Sequence, residues 1–163
     1  RQEELVFNTK DTATMPVAIR DIPKNADTVK VIEEKKEALK KLVSTFEQRK
    51  NILSNTIEVE SDSIRISFYD NGDIDGDSIS VFINKVPVLT HQPLSERALN
   101  LYIALDDKHS NNEISMFAEN LGSIPPNTAL MIVSDGKKRY ELRITSNLQK
   151  NGTIRIRRKK SGS

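Results

Sequence analysis

The chain has 163 residues, which is long enough for one domain with a hydrophobic core. It has no cysteine, which excludes disulfides, thiolate catalysis and cysteine-ligated zinc. Its net charge of +2 argues against a surface built throughout for nucleic acid, and no apolar run approaches the roughly 20 residues of a transmembrane helix.

The N-terminal part of the chain differs in pattern from the rest. Residues 1 to about 27 keep neither a helical nor a strand period, so we expect an extended arm there. Apolar residues then recur at three- and four-residue spacings, with charged residues on the opposite face. This pattern predicts one amphipathic helix from about Val31 to Gln48, with Asp27 or Thr28 as its N-cap.

From about Lys50 onward the apolar period is two, and short alternating segments recur about every ten residues between turn residues. This spacing is typical of an antiparallel β-sandwich, either jelly-roll or immunoglobulin-like. Pro87 places one strand at a sheet edge, and the apolar run 129–133 indicates an interior strand. We therefore predict an arm and helix over residues 1–50 and a sandwich of eight or nine strands over residues 51–160. The side chains expected to be buried in it are Ile66, Phe68, Ile79, Val81, Leu101, Ile103, Phe117, Leu130, Ile132, Leu142 and Ile144.

An acidic turn between two of the predicted strands is the candidate metal site. Its aspartates are separated by Gly72 and Gly76, which permit positive φ angles. A turn of this kind can direct several carboxylates toward one point, where their oxygens would suit Ca²⁺. The turn matches the first half of an EF-hand loop, but Phe82 stands where a bidentate glutamate belongs. The alternative is that these side chains bond their own backbone in a tight hairpin or Asx-turn. The predicted calcium ligands are Asp70, Asn71, Asp73, Asp75 and Asp77.

The sequence offers little for catalysis. It lacks nucleophile-elbow, zincin, P-loop and dinucleotide motifs, and its two histidines, His91 and His109, are each expected in a loop. Clustered carboxylates can hydrolyse glycosides, but a cluster in one short turn is more typical of a structural or metal-bound site. We therefore expect a protein that is not an enzyme, with a carboxylate hydrolase as the remote alternative.

Carbohydrate and nucleic acid are two further classes of ligand to which the sequence is relevant. Sugar-binding platforms usually depend on exposed aromatic rings, and in this tryptophan-free chain Tyr69 and Tyr102 are the candidates. Nucleic acid is disfavoured because aromatic residues do not interleave the basic C-terminal residues, a pattern that indicates a solvated face. These basic residues are Lys137, Lys138, Arg139, Arg143, Arg155, Arg157, Arg158, Lys159 and Lys160.

Two segments, 69–81 and 116–131, carry the strings D-N-G-D-I-D-G-D-S-I-S-V and A-E-N-L-G-S-I-P-P-N-T-A. With them the chain resembles small all-β modules near the C-termini of exported Bacteroidetes proteins, a group without an assigned activity. The resemblance covers roughly residues 46–158 and brings no catalytic residues. It implies an extracytoplasmic location, periplasmic, secreted or anchored at the surface through a segment upstream of Arg1.

The absence of catalytic motifs and the resemblance to exported modules together favour one function over its alternatives. We expect a non-catalytic structural or protein-interaction module whose partner is a protein of the cell envelope. Edge strands such as residues 86–90, or the apolar stripe of the helix, could provide the contact. The alternative is a carbohydrate-binding sandwich, with or without a structural calcium ion.

Overall fold

The computed structural model describes residues 26–71, 74–106, 108–123 and 125–159, so the predicted arm lies almost entirely outside the described chain. One helix and nine strands are present in this part of the chain. They are α1 (Ala26–Gln48), β1 (Lys50–Val59), β2 (Ser63–Asp70), β3 (Ser78–Ile83), β4 (Val86–Pro93), β5 (Leu99–Ala104), β6 (Asn111–Ala118), β7 (Asn127–Asp135), β8 (Lys138–Ser146) and β9 (Lys150–Arg158).

The predicted helix is present but begins earlier than expected. Because α1 starts at Ala26, Asp27 and Thr28 lie inside its first turn and do not cap it. The Asp27 carboxylate there complements the positive end of the helix dipole. The chain divides into two compact units, Arg1–Leu42 and Val43–Ser163, so the division falls within α1 and upstream of residue 50. Within the described chain, no helix has the length and apolar character that crossing a bilayer requires.

The strands form the predicted β-sandwich. One sheet has the order β1-β9-β6-β3-β4 and the other has the order β5-β2-β7-β8. The pairs are antiparallel except β1 and β9, which run parallel. The edge position of β4 and the interior position of β7 confirm what Pro87 and the apolar run indicated. Side chains from both sheets fill the core, among them Ile64, Ile66, Phe68, Ile79, Val81, Ile114, Met116, Met131, Ile144 and Ile154.

Two of the predicted core residues, Leu130 and Leu142, are only half-buried. Leu130 is only half-buried, because it alternates with the buried Ala129 and Met131 and so belongs to the outer face of β7. Leu142 is half-buried because β8 is an edge strand with a neighbour on one side. Phe117 and Ile132 are buried as predicted, but both lie outside the core cluster between the sheets.

The last turn of α1 covers the outer face of the five-stranded sheet. The Phe46 ring stacks on Phe82 with centroids 3.8 Å apart, and Phe82 lies 6.0 Å from Phe117. The Arg49 guanidinium lies 3.8 Å from the centre of the Phe117 ring and donates a 2.8 Å hydrogen bond to the Ala118 carbonyl. Strand alternation places Phe82 and Phe117 on this outer face, so Phe46 and Arg49 remove their rings from water.

The last turn of the sandwich does not contain the Asn-Gly pair that is typical of β-hairpin turns. Asn151 and Gly152 lie within β9 instead. The turn is made by Asn147, whose Oδ1 accepts a 2.8 Å hydrogen bond from the Gln149 backbone. Gly152 is required for a different reason, because a Cβ there would lie 2.5 Å from the Thr145 carbonyl oxygen.

Candidate functional site

The aspartate-rich segment connects the two sheets. It leaves β2 at Asp70, in the four-stranded sheet, and enters β3 at Ser78, in the five-stranded sheet. The hairpin interpretation is therefore wrong, because β2 pairs with β5 and β7 while β3 pairs with β4 and β6. The segment crosses one end of the sandwich instead.

The connection between β6 and β7 is hydrogen-bonded to this crossover. The Ser123 backbone donates to the Asp75 carbonyl at 2.9 Å, and Asn120 Nδ2 donates to the Gly76 carbonyl at 3.1 Å. Asn120 Oδ1 accepts from the Ser78 backbone at 3.0 Å. The two segments that carry the resemblance thus form one structure at one end of the sandwich. We call it the loop junction, and it comprises residues 75–78, 119–123 and 125–127.

Close approach of backbone and buried side chains holds the loop junction together. Gly122 has φ 61°, and a Cβ there would overlap an oxygen of the Asp77 carboxyl and lie 2.8 Å from the Asp75 carbonyl oxygen. Asn127 is fully buried, and its Nδ2 donates to the Asn120 carbonyl at 3.1 Å. Glycine at position 122 is therefore required by both backbone conformation and space.

A depression of about 420 Å³, here called the acidic pocket, opens beside the loop junction. Four of the five predicted calcium ligands line it, namely Asp70, Asn71, Asp75 and Asp77. The fifth, Asp73, lies outside the described residues. The fold therefore brings the described members of the sequence motif together in one place.

The other wall of the acidic pocket comes from the four-stranded sheet. Thr128 and Thr145 face each other across β7 and β8, with their hydroxyl oxygens 3.3 Å apart. Arg143, two residues before Thr145, also lines the pocket. The pocket therefore combines carboxylates with a guanidinium and hydroxyl groups.

The geometry of the acidic pocket does not decide whether the aspartate turn binds calcium. Among residues 26–71, 74–106, 108–123 and 125–159, no three or more acidic or histidine side chains are arranged to hold a metal ion. Calcium usually requires about six to eight oxygens, so Asp73 would have to contribute. Calcium binding at this turn stays a prediction.

Asp77 is the buried carboxyl of the acidic pocket. It is 3 % exposed, and burial raises its pKa to about 6, helped by the charges of Asp75 and Asp70 and by a hydrogen bond with the Asp75 side chain. The Thr128 backbone N–H opposes this shift of the pKa. The Asp77 carboxyl is therefore protonated below about pH 6.

This arrangement predicts a specific pH dependence of stability. The pKa of Asp77 in the folded protein lies above its ordinary 3.8, so the folded state binds the proton more tightly than the unfolded state does. The contribution of Asp77 to stability is therefore fully present below pH 3.8 and is lost as the pH rises through about 6. Asp77→Asn keeps a neutral hydrogen-bonding group, and we expect it to be more stable than wild type at pH 7.5 by about 1 to 3 kcal/mol.

Urea unfolding of both proteins at pH 4 and pH 7.5 measures this effect. The advantage of Asp77→Asn should be much smaller at pH 4 than at pH 7.5. Asp62→Asn removes one exposed carboxylate at the opposite end of β2 and serves as the control. An advantage of Asp77→Asn that is the same at both pH values would contradict the raised pKa of Asp77.

Sequence reasoning missed a second polar cluster, on the outer side of the five-stranded sheet. The fully buried Ser80 hydroxyl donates to the Glu119 carboxylate and accepts a 3.1 Å hydrogen bond from the His91 backbone. His91 Nδ1 lies 3.1 Å from the other Glu119 oxygen. The only signal in the sequence was a serine between apolar residues of β3.

This cluster does not have the geometry of a catalytic triad. In a triad the imidazole takes the serine proton, whereas here the Ser80 hydroxyl is bonded to the Glu119 carboxylate. His91 was expected in a loop but lies in β4, at φ 51°, where the pairing with β3 is irregular. His109 does lie in a loop, after β5. The cluster therefore links β3, β4 and the end of β6.

The two tyrosines considered for sugar binding share the outer face of the four-stranded sheet. Tyr102 is 73 % exposed and lies opposite Arg65, which is on the same face of β2 as Tyr69. Arg65 and Tyr69 are separated by about 13 Å along the strand, from the usual rise per residue. Both rings therefore belong to one surface.

Several C-terminal basic residues are close to acidic partners. Arg155 and Glu113 approach to 2.8 Å, and Arg157 and Glu58 approach to 3.7 Å. Lys160 lies outside the described residues. Pairing reduces the positive potential that nucleic acid would need, which supports the interpretation as a solvated face.

No protein-family model, no curated protein and no solved structure matches this chain. The resemblance to exported Bacteroidetes modules stays a prediction. Function has to be inferred from the described residues themselves.

Proposed function

We propose that this chain is a non-catalytic, extracytoplasmic module that binds a protein of the cell envelope through β4. The observation that carries the proposal is one exposed edge of the five-stranded sheet, the one formed by β4. Val86 and Val88 on this strand are 59 % and 41 % exposed. A partner strand can bond to the backbone of such an edge, while alternate side chains provide specificity.

Other features of β4 favour selective pairing over uncontrolled association. The turn at Asn84 and Lys85, with φ 52° and 71°, fixes the start of the strand against β3. Pro87 has no backbone N–H, and the register with β3 shifts beside Val81. Proline and bulges on an edge strand prevent long, nonspecific pairing. A short segment of a specific partner is therefore the occupant that β4 suits.

The carboxylate geometry supports a non-catalytic role. Glycoside hydrolases hold their two carboxyl groups about 5 to 10 Å apart, on either side of the bond to be cleaved. Asp77 is instead almost fully buried beside Asp75, so its carboxyl is not open to a sugar. With the Ser80 hydroxyl bonded to Glu119, neither cluster matches an acid/base or nucleophilic site.

The extracytoplasmic part of the proposal rests on the two resembling segments, 69–81 and 116–131. Their hydrogen bonding to each other in the loop junction gives a structural reason why they would occur together in one module. Fractionation of the source cells, followed by detection of the chain in each fraction, tests the location.

The experiment is affinity capture from the native cell envelope with quantitative mass spectrometry. Val86→Lys together with Val88→Lys places charges on the edge without removing buried groups. We expect wild type to enrich a defined protein and the double variant to lose more than about tenfold of that enrichment. Leu148→Lys, at an exposed apolar position in the turn before β9, is the control and should behave as wild type. Equal enrichment by all three proteins would contradict binding through β4.

A carbohydrate-binding module is the second candidate, and the shared surface of Tyr69 and Tyr102 favours it. A glycan array probed with wild type and Tyr102→Ala separates the two candidates. Saturable binding to one glycan, lost in Tyr102→Ala while capture through β4 is absent, would replace the protein-binding proposal.

A further inference from the structure

We propose that the outer face of the four-stranded sheet binds a polysaccharide whose sugars carry carboxylate groups. We call this surface the arginine face, and it comprises Arg65, Tyr69, Tyr102, Arg139 and Arg143. The inference rests on one part of the proposed function, the extracytoplasmic location, where acidic polysaccharides are common polymers. It adds a ligand on a different sheet from the edge strand β4.

Strand register brings the first of these side chains to one surface. Arg65 of β2 lies opposite Tyr102 of β5 and Ser134 of β7, and Ser134 lies opposite Arg139 of β8. These four positions form a row across the sheet, over about 14 Å at the usual spacing between strands. The Tyr102 ring is 73 % exposed, and both arginines are exposed. The row therefore presents one ring and two guanidinium groups to solvent.

A second row repeats this combination farther along the strands. Tyr69 of β2 lies opposite Leu130 of β7, which lies opposite the exposed Arg143 of β8. Tyr69 follows Arg65 by four residues, so the two rows are about 13 Å apart at the usual rise per residue. Each row offers a tyrosine ring and at least one guanidinium. A polymer with repeated charges fits this repeated arrangement better than a single small anion does.

Arginines on the other sheet are compensated by acids directly across from them. Arg155 lies opposite Glu113, and their side chains approach to 2.8 Å. Arg157 lies opposite Glu58, and their side chains approach to 3.7 Å. Opposite charges at facing positions stabilise a sheet, so this is the pattern expected of arginines that serve only the fold.

The arginine face departs from that pattern. The cross-strand neighbours of Arg65 and Arg143 are uncharged, and neither arginine forms an ion pair within the described part of the chain. Among the described outward positions of β2, β5, β7 and β8, Glu141 is the only acid. It lies 3.7 Å from Arg139, and both side chains are well exposed, so the pair is weak. The face therefore keeps positive charge that an anionic ligand would complement.

The other groups of the arginine face favour a sugar acid over other anions. A guanidinium binds a carboxylate through two parallel hydrogen bonds, and a tyrosine ring packs against the apolar side of a sugar. Asn100 and Ser134 on the same face can bond to sugar hydroxyls. Single-stranded nucleic acid stacks successive bases on neighbouring rings. The two rings here are about 14 Å apart on different strands, too far for successive bases.

The test measures binding of the whole chain to hexagalacturonate by isothermal titration calorimetry at physiological ionic strength. The methyl ester of the same oligosaccharide has nearly the same shape without the charge. We expect saturable binding of hexagalacturonate and at least about tenfold weaker binding of the ester. No binding of the acid, or equal binding of acid and ester, would overturn the inference.

Charge-neutral variants then locate the site. Arg65→Gln together with Arg143→Gln changes two exposed side chains and should weaken binding of hexagalacturonate at least about tenfold. Lys150→Gln together with Lys159→Gln removes the same charge from exposed positions in and just after β9 of the other sheet, and should bind as wild type does. Unchanged binding by the arginine variant, or an equal loss in both variants, contradicts a site on this face. So does oligothymidylate that binds as tightly with the same loss in the arginine variant, because the face then accepts any polyanion.

These results are separable from affinity capture through β4. Val86→Lys with Val88→Lys should bind hexagalacturonate as wild type does. If hexagalacturonate fails to bind while the edge variant still loses its protein partner, only the present inference is wrong. If hexagalacturonate binds but the edge variant captures as wild type does, the proposed role of β4 is wrong and the arginine face stands as a site.

Discussion

Gly122→Ala should lower the free energy of unfolding by about 3 kcal/mol or more, because the new methyl group meets two obstacles at once. The backbone at Gly122 has φ 61°, a conformation that costs an L-residue about 1 to 2 kcal/mol. The new Cβ would also overlap the Asp77 carboxyl and lie 2.8 Å from the Asp75 carbonyl oxygen. Neither the strand crossover nor the buried carboxyl can move away without breaking hydrogen bonds of the loop junction.

Two other glycines of the chain separate these effects. Gly76 and Gly136 have φ 87° and 60°, but a Cβ at Gly76 meets nothing within 4 Å and one at Gly136 meets the Ser61 hydroxyl at 3.4 Å. Alanine at either position should therefore cost only the free energy of placing an L-residue at a positive φ angle. Urea unfolding of the three variants measures the difference, and a Gly122→Ala variant no less stable than Gly136→Ala would show that the junction is not tightly packed.

The second large effect is expected at Phe46. Phe46→Ala should cost about 3 to 5 kcal/mol, because the ring is 2 % exposed and its loss leaves a cavity over Phe82. The change also removes one layer from the aromatic contacts that reach Phe117. Helix propensity cannot explain a loss, since alanine is the best helix former.

Leu39→Ala is the matched control, an exposed apolar position in the same helix, and should change stability by less than about 1 kcal/mol. Both variants are measured by urea unfolding under identical conditions. A small effect at Phe46 would mean that the end of α1 does not contribute to the sandwich. The expected large effect would place the start of the folding unit near Val43, where the second compact unit of the chain begins.

The fold was predictable where it depends on local pattern. Alternation of apolar residues indicated the strands, and Pro87 indicated that β4 is an edge. Alternation assigns a side chain to a face but does not say which strands are neighbours. For this reason the hairpin interpretation of the aspartate turn failed, and the parallel pairing of β1 with β9 was not anticipated.

The candidate site was predictable only in its parts. The aspartate string and the segment around Asn120 were both recognised, but nothing in the sequence indicated that Asn120 would bond to Gly76 from 44 residues away. The burial of Asp77 and the bond between Ser80 and Glu119 likewise depend on sheet pairing. Contacts between residues that are distant in the chain determine these environments, and a single sequence does not indicate which residues make such contacts.

The loop junction and β4 are connected through the backbone. The Leu94 N–H, directly after β4, donates to the Asp77 carbonyl at 2.9 Å, and Pro93 pairs with Ser78. The acidic pocket and the edge strand are thus joined through backbone hydrogen bonds of neighbouring segments.

Hydrogen exchange of this chain, alone and in complex with the protein captured from the cell envelope, tests the central claim most directly. The account predicts slower exchange of the amides of residues 86–92 in the complex, with little change in β5, an edge strand of the other sheet. Unchanged exchange in β4, with protection confined to β5 around Tyr102, would contradict it.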